Sequence, residues 1–129
     1  MTHSFNIRVY YEDTDAGGVV YYANYLKFTE RARTEMLRSK GVEQKQLAEK
    51  QNLYFVVKKA DLELFASARL DDNVRIETSV KEIGGASVDL FQEIYIEQKC
   101  IAKSNVKIVS VNKEFKPTRM SEEIKAIFA

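Results

Sequence analysis

Two residue types that often carry protein chemistry are scarce in this chain of 129 residues. The single cysteine, Cys100, cannot form an internal disulfide or a multi-cysteine metal site. Such cysteine usage is typical of the reducing cytoplasm, where we expect the protein to be found. The single histidine, His3, would have to serve any Ser-His-Asp or Cys-His mechanism, and alone it leaves a zinc site short of ligands. These scarcities argue against all of those classes of site.

The chain also lacks long apolar runs and an excess of charge of either sign. No apolar run approaches the roughly 18 residues of a membrane span, and the first residues do not resemble a signal peptide, so we expect neither. Twenty Lys and Arg residues nearly balance nineteen Asp and Glu residues, which predicts no nucleic-acid partner. The length and the hydrophobic fraction of 45% predict a single domain over residues 1–129.

The hydrophobic pattern changes its period near residue 20. Residues Phe5–Tyr11 alternate as a strand does, and Glu12–Gly18 has the composition of a turn. From residue 22 to about residue 40, apolar residues recur at three- and four-residue spacings, which predicts a long helix that Gly41 is suited to end. A second short helix is predicted within Val42–Asn52.

The rest of the chain is predicted to be mostly β-structure. Strand patterns cover Leu53–Phe65, Val74–Lys81, Ser87–Gln98 and Ile101–Asn112, with a hairpin signal at Gly84-Gly85 and a final short helix after Ser121. This order predicts an α+β fold with an antiparallel sheet and one long helix. Because one long helix cannot cover both faces of such a sheet, the uncovered face or an edge should pair with another subunit.

Three carboxylates stand within four residues just before the long helix, at Glu12, Asp13 and Asp15. A calcium loop is disfavoured, because the downstream positions lack the required ligands and a strand precedes the turn. Acidic residues in turns often only form local hydrogen bonds. Alternatively, a carboxylate base or nucleophile beside a helix N-terminus, whose amides can bind an oxyanion, suffices to hydrolyse an acyl bond. The spacing leaves both readings open.

Other candidate residues have an alternative structural explanation. Tyr25 falls at helical spacing and is expected in the core, whereas Tyr11 and Tyr22 flank the carboxylates and can place hydroxyl groups near a substrate. Cys100 has no predicted base beside it, so we expect no nucleophilic role. Lys58 and Lys59 are either solvated charges or contacts to a phosphorylated ligand.

The run Tyr10–Tyr21, continued by Ala23–Phe28 and Glu30–Glu35, closely resembles the YbgC-like acyl-CoA thioesterases. These belong to the 4-hydroxybenzoyl-CoA thioesterase branch of the hot-dog fold. The similarity continues through Phe55–Lys59 and Ala68–Asp72 and covers essentially the whole chain. It implies an antiparallel sheet wrapped around one long helix and homodimers that commonly pair into homotetramers. It also implies acyl-CoA as substrate, a site at the subunit interface, and no metal or other cofactor.

The resemblance also implies roles for individual residues. Asp15 matches the catalytic carboxylate of the family, which acts as general base or nucleophile, and Tyr11 matches a further catalytic-site residue. The thioester carbonyl would bind backbone amides near the helix start, between Gly18 and Tyr22. Gly18, Val19 and Val20 would be substrate-binding residues. Lys58 and Lys59 would contact the phosphates of coenzyme A.

Tyr22 is a departure from the closest part of the family, where a histidine in the context Tyr-His-Ala-Asn-Tyr is taken to assist catalysis. A phenol with a pKa near ~10 cannot act as a base at neutral pH, although Tyr22 can still donate a hydrogen bond. The 4-hydroxybenzoyl-CoA thioesterases resemble this chain in carrying a tyrosine there. Because the usual histidine is absent, a second interpretation of the function stays open.

In that alternative the chain is a catalytically weakened protein that binds an acyl thioester or a partner. The family's association with the Tol–Pal system and with phospholipid synthesis favours such a role, and an acyl carrier protein is a possible partner. A hot-dog dehydratase would need a catalytic histidine in the site, and His3 is the only histidine.

Overall fold

The computed structural model describes residues 2–129 of the chain. The strands are β1 (Thr2–Arg8), β2 (Tyr54–Ala60), β3 (Glu63–Leu64), β4 (Asn73–Ile83), β5 (Ser87–Ile96) and β6 (Lys99–Val111), and the helices are α1 (Asn24–Ser39), α2 (Gln44–Gln51) and α3 (Glu122–Phe128). The strands form one antiparallel sheet in the order β1-β4-β5-β6-β2, with β3 paired to β6. The α+β class and the antiparallel sheet with one long helix are confirmed.

Helix α1 forms where the helical period predicted it. Its apolar residues at that spacing, Tyr25, Phe28, Ala32 and Met36, are all buried. Gly41 adopts φ +80° just after the helix, its N–H donates to Arg38 O, and the N–H of Val42 donates to Leu37 O. These two bonds form a Schellman motif, which confirms the predicted helix end.

The helices cover one face of the sheet, and the buried side chains there form two apolar clusters. We call the first the site-side core; it consists of Ile7, Val9, Val20, Tyr25, Phe28, Ala32, Ala68, Val74, Ile76, Ile94, Ile101 and Ala102. We call the second the distal core; it consists of Met36, Leu37, Leu47, Leu53, Val88, Leu90, Val106, Ile108, Met120, Ile124 and Phe128. Helix α1 contributes to both.

A row of buried polar residues separates the two cores. Thr78 of β4, Gln92 of β5 and Ser104 of β6 are opposite one another in the register of the sheet, and each is 0% exposed. We call these three residues the polar row. Their in-sheet neighbours two residues away are apolar on either side, with Ile94 in the site-side core and Leu90 in the distal core.

Several predicted strand boundaries were wrong. The turn predicted after Gln98 lies at residues 97–98, between β5 and β6. The first strand ends at Arg8 rather than Tyr11, because Val9 bonds to the backbone of Asp71 and Asp72 and a 3₁₀ turn follows at Tyr11–Asp13. The predicted strand Leu53–Phe65 is divided into β2 and β3. At that corner Asp61 accepts the N–H of Asn105 on its side chain and the hydroxyl of Ser104 on its carbonyl oxygen.

No helix among residues 2–129 covers the other face of the sheet. It carries charged and aromatic side chains that interact in pairs, such as Arg75 with Tyr95 and Lys107 with Asp89. Strands β1 and β2 form the two edges of the sheet. Pairing of an edge or of this face with another subunit stays a prediction. Within residues 2–129, no helix combines the length and the apolar character that a bilayer crossing requires.

Candidate active site

Asp13 serves the local structure of the acidic turn. Its Oδ2 accepts the N–H of Tyr10 at 2.8 Å, which closes the 3₁₀ turn. Its carbonyl oxygen accepts the N–H of Tyr21 at 3.0 Å and the side-chain Nδ2 of Asn24 at 2.9 Å. The carboxylate of Asp13 therefore forms the local hydrogen bond expected of an acidic residue in a turn, and its backbone carbonyl links the turn to the first residue of α1.

Asp15 is held by its backbone, and its carboxylate is largely free. Its N–H donates to Val19 O at 2.9 Å, and its carbonyl oxygen accepts the N–H of Gly18 at 3.0 Å. Oδ1 accepts the N–H of Gly17 at 2.8 Å, whereas Oδ2 has no hydrogen-bond partner among residues 2–129. The side chain is exposed. A fixed backbone with one unoccupied carboxylate oxygen is suited to a general base or a nucleophile.

The segment between Asp15 and α1 leaves only some of its amides free. The N–H groups of Gly18, Val20 and Tyr21 donate to Asp15 O, Ala68 O and Asp13 O respectively. Those of Val19 and Tyr22 have no partner within the described part of the chain. Because a helix N-terminus carries partial positive charge, free amides here can stabilise an oxyanion. Of the predicted carbonyl-binding segment, Val19 and Tyr22 remain available.

Asp15 lies in a cleft of about 430 Å³ that is lined by Tyr11, Thr14, Asp15, Ala16, Gly18 and Leu70. The structure thus brings together Tyr11, Asp15 and Gly18, three of the residues that the sequence pointed to. The side chain of Val20 lies in the site-side core, 3% exposed, and does not line the cleft. Tyr22 is 61% exposed, and its ring packs against that of Tyr21 with centroids 5.0 Å apart.

Lys58 and Lys59 do not line the Asp15 cleft of the same chain. They lie exposed on the edge strand β2, whereas the acidic turn follows the opposite edge strand, β1. Lys59 instead lines a separate, charged cleft together with Asp61 and Lys81. Their predicted contact with coenzyme A phosphates stays a prediction.

Residues 66–70 support the candidate site, although no role for them was predicted from the sequence. The N–H of Ala68 donates to the phenol oxygen of Tyr25 at 3.0 Å, and Ala68 O accepts the N–H of Val20. Burial raises the pKa of Tyr25, so this phenol stays protonated at neutral pH. The family resemblance over Ala68–Asp72 was the sequence signal for this wall of the cleft, where the apolar side chain of Leu70 is 41% exposed. Tyr25 itself is 1% exposed, which confirms its core position.

The chain is similar over almost its whole length to known thioesterases. Residues 9–128 match the model of the thioesterase-like superfamily, and the chain belongs to this superfamily. It is 46% identical over 126 residues to the acyl-CoA thioesterase YbgC of Haemophilus influenzae, covering 97% of this chain and 93% of the relative. It is 44% identical over 124 residues to the acyl-CoA thioester hydrolase YbgC of Escherichia coli O6:H1, covering 95% and 92%. Within the superfamily it is therefore one of the YbgC-like proteins, as the sequence motifs indicated.

The fold agrees with this assignment. A probable thioesterase from Bartonella henselae superposes with a TM-score of 0.90 at 36% identity, covering 94% of this chain and 100% of that one. The predicted hot-dog fold is confirmed.

Proposed function

We propose that the protein hydrolyses acyl-CoA thioesters to a free acid and coenzyme A, with Asp15 as the reacting carboxylate. The observation that carries this proposal is the free Oδ2 of Asp15 in a cleft just before the start of α1, in a chain of the YbgC family. Asp13, two residues earlier, also accepts one N–H on its carboxylate, but it is less exposed and does not line this cleft, so it is the poorer candidate.

Two routes are open to Asp15. As a general base it takes a proton from water, the resulting hydroxide attacks the thioester carbonyl, and the C–S bond breaks to release the coenzyme A thiolate. As a nucleophile its oxygen attacks the carbonyl, the thiolate leaves, and water then hydrolyses the mixed anhydride. In either route the thiolate takes up a proton, and the products are the free acid and coenzyme A.

The negative charge that develops on the carbonyl oxygen requires donors. Within the predicted carbonyl-binding segment the amides of Val19 and Tyr22 are free, and we assign the carbonyl to them. The exposed phenols of Tyr11 and Tyr22 can donate further hydrogen bonds to the substrate.

His3 cannot replace the histidine that the family usually has at position 22. It lies at the start of β1, five residues before Arg8 and so roughly 16 Å along the strand from the end that leads into the acidic turn. Within one chain, the proton transfer or the attack therefore falls to Asp15.

We also propose that the working protein is a homodimer or homotetramer with the site at a subunit interface. The exposure of Asp15, of Tyr11 and of the apolar Leu70 in a single chain supports this, because water must be excluded from such a site for strong electrostatic catalysis. Lys58 and Lys59 would then contact coenzyme A phosphates across that interface.

The test of the proposed function is free-thiol release from a panel of aliphatic and aromatic acyl-CoA substrates. Asp15→Asn should lower kcat by about 10²–10⁴-fold, because the amide is neither a base nor a nucleophile. Asp13→Asn is the matched control: its side-chain oxygen can still accept from Tyr10, so we expect kcat close to that of the parent. Circular dichroism should show both variants folded. Near-parental hydrolysis by Asp15→Asn would contradict the assignment.

A second candidate function is binding of an acyl thioester or an acyl carrier protein without turnover, in association with the Tol–Pal system or phospholipid synthesis. The observation that favours it is the tyrosine at position 22. Tyr22→His should preserve or raise hydrolysis if the protein is an enzyme, and a sharp loss would give the phenol a role of its own. Calorimetric binding of acyl-CoA, with no thiol released from any substrate of the panel, would favour the second candidate.

A further inference from the structure

The side chain of Gln92 lies fully buried beneath α1, at the centre of the polar row. Its Nε2 donates to the carbonyl oxygen of Thr29 at 3.0 Å and to the hydroxyl of Thr78 at 2.9 Å. Its Oε1 accepts from Nη1 of Arg33 at 3.1 Å. Because a carbonyl oxygen only accepts and a guanidinium only donates, these partners allow the carboxamide just one orientation.

Gln92 makes the only direct hydrogen bonds between α1 and a sheet strand among residues 2–129. The other contacts of α1 with the sheet face are apolar, through the site-side core on one side of Gln92 and the distal core on the other. Two of the three bonds reach the helix, at residues one turn apart. The third connects β5 to β4 through Thr78, which is itself buried.

These bonds constrain the helix in a way that apolar packing does not. Apolar contacts have no preferred direction, whereas a hydrogen bond between buried groups is lost when its partners separate by about an ångström, and the unpaired groups then carry a desolvation cost. Arg33 strengthens this constraint. Burial lowers the pKa of its guanidinium, and no carboxylate within the described residues forms an ion pair with it.

The constraint acts close to the start of the helix. Thr29 is five residues after Asn24, which is about 7.5 Å along the helix axis. The hydroxyl of Thr29 also donates to Leu26 O in the first turn. A displacement of α1 along the sheet at Thr29 would therefore move the free amide of Tyr22, which stands just before the helix, relative to Asp15.

We propose that Gln92 is a positioning residue, which sets α1 on the sheet so that the amides at its start face the carbonyl of a thioester held at Asp15. This inference rests on the proposed function, because it assigns the helix start to the oxyanion. Gln92 touches neither substrate nor reacting atoms; it acts through Thr29 and Arg33.

The test compares Gln92→Met with Thr78→Val. Gln92→Met keeps the side-chain volume and loses both hydrogen bonds to the helix. Thr78→Val is its matched control, because it removes one buried hydrogen bond of Gln92 and leaves both bonds to α1. At a temperature where circular dichroism shows both variants folded, Gln92→Met should lower kcat about tenfold or more with KM within about threefold, since misplacement affects the transition state most. Thr78→Val should keep kcat within about twofold of the parent.

A second variant covers the case in which Gln92→Met does not fold. Gln92→Glu keeps a partner for Arg33 but places an acceptor against Thr29 O, so it should fold and also show reduced kcat. A readout independent of turnover is the backbone amide NMR spectrum. Shifts of residues 22–26 should change in the Gln92 variants and stay close to parental in Thr78→Val.

The outcomes separate this inference from the proposed function. If folded Gln92→Met or Gln92→Glu keeps parental kcat, or if Thr78→Val loses as much, Gln92 is only structural and the inference is overturned. If the parent chain releases no thiol from any acyl-CoA, the proposed function fails. In that case the NMR spectra still test the position of α1. Unchanged shifts at residues 22–26 overturn the positioning role, whereas changed shifts support the claim that Gln92 sets the position of the helix start.

Discussion

The two cores on either side of the polar row differ in the segments that border them. The site-side core draws Val9, Val20 and Ala68 from outside the long strands and helices, and backbone hydrogen bonds hold these residues in place. The distal core also takes Leu53 and Met120 from irregular segments, but it is closed by two short helices, through Leu47 of α2 and Ile124 and Phe128 of α3.

We expect the two cores to have different roles in this fold. Burial in the site-side core fixes irregular chain around Asp15, and four of the tyrosines next to it, Tyr10, Tyr11, Tyr21 and Tyr22, stay exposed. Burial in the distal core involves no residue of the acidic turn or of the start of α1. We therefore expect changes in the site-side core to lower both stability and turnover, and changes in the distal core to lower stability alone.

The largest expected effect comes from a matched pair of phenylalanines. Phe28 packs edge-on against Tyr25 in the site-side core, with ring centroids 6.0 Å apart, and Phe128 packs edge-on against Phe55 beside the distal core at 5.6 Å. Phe28→Ala should lower the free energy of unfolding by about 3–5 kcal/mol. Phe128→Ala should cost less, about 2–3 kcal/mol, because the terminal helix α3 can relax around the cavity. Urea denaturation measures both changes.

The kinetic comparison decides whether the two cores differ in function. With rates corrected for the folded fraction, Phe28→Ala should lower kcat for acyl-CoA hydrolysis, because it loosens the first turns of α1. Phe128→Ala should leave kcat near the parental value. Equal loss of kcat in the two variants would mean that the cores share the site and that the distinction between them is wrong.

Periodicity was sufficient to predict most of the fold. The three- and four-residue spacing of apolar residues predicted α1, and Gly41 predicted its end. Both predictions were possible because they depend on residues that are close together in sequence. Alternation located the long strands. The division of the predicted strand Leu53–Phe65 was missed, because it depends on Asp61 bonding to residues more than forty positions away.

The sequence pointed to the acidic turn as the candidate site, whereas the arrangement of that turn depends on hydrogen bonds that spacing does not reveal. Asp13 and Asp15 have the same chemistry in sequence, and each carboxylate accepts one backbone N–H in the fold. Only the greater exposure of Asp15 and its place in the cleft distinguish them. Gln92 interrupts an otherwise apolar strand face, between Leu90 and Ile94, so a signal was present. Its partners on α1 are about sixty residues away in sequence and could not be inferred from it.

A smaller effect is expected at the phenol that connects α1 to residues 66–70. Tyr25→Phe removes the acceptor of the buried Ala68 N–H and should cost about 1–3 kcal/mol in stability. Because Ala68 in turn holds Val20, next to the free amide of Val19, we expect a severalfold loss of kcat as well. Thermal unfolding and thiol release measure the two. If stability falls and kcat does not change, Tyr25 affects stability alone, as we expect for residues of the distal core.

The smallest effect is expected on the sheet face away from both cores, where the hydroxyl of Ser4 donates to the carboxylate of Glu77. This hydrogen bond, aided by Arg75, lowers the pKa of Glu77 below its ordinary value of 4.5. Since the folded state then binds the proton less tightly than the unfolded state, the pair stabilises the fold above about pH 4.5, and this contribution is lost as pH falls through the lower, folded-state pKa.

Ser4→Ala should therefore lower stability at pH 7 only slightly, by ~0.5 kcal/mol or less, because the pair is near the surface. The difference in Tm between variant and parent should shrink as the pH falls below 4.5, and kcat at pH 7 should not change. Thermal unfolding across that pH range measures it. A Tm difference that persists at the lowest pH would show that Ser4 acts through strand packing rather than through the charge of Glu77. A change in kcat would show that residues outside the site-side core also affect turnover.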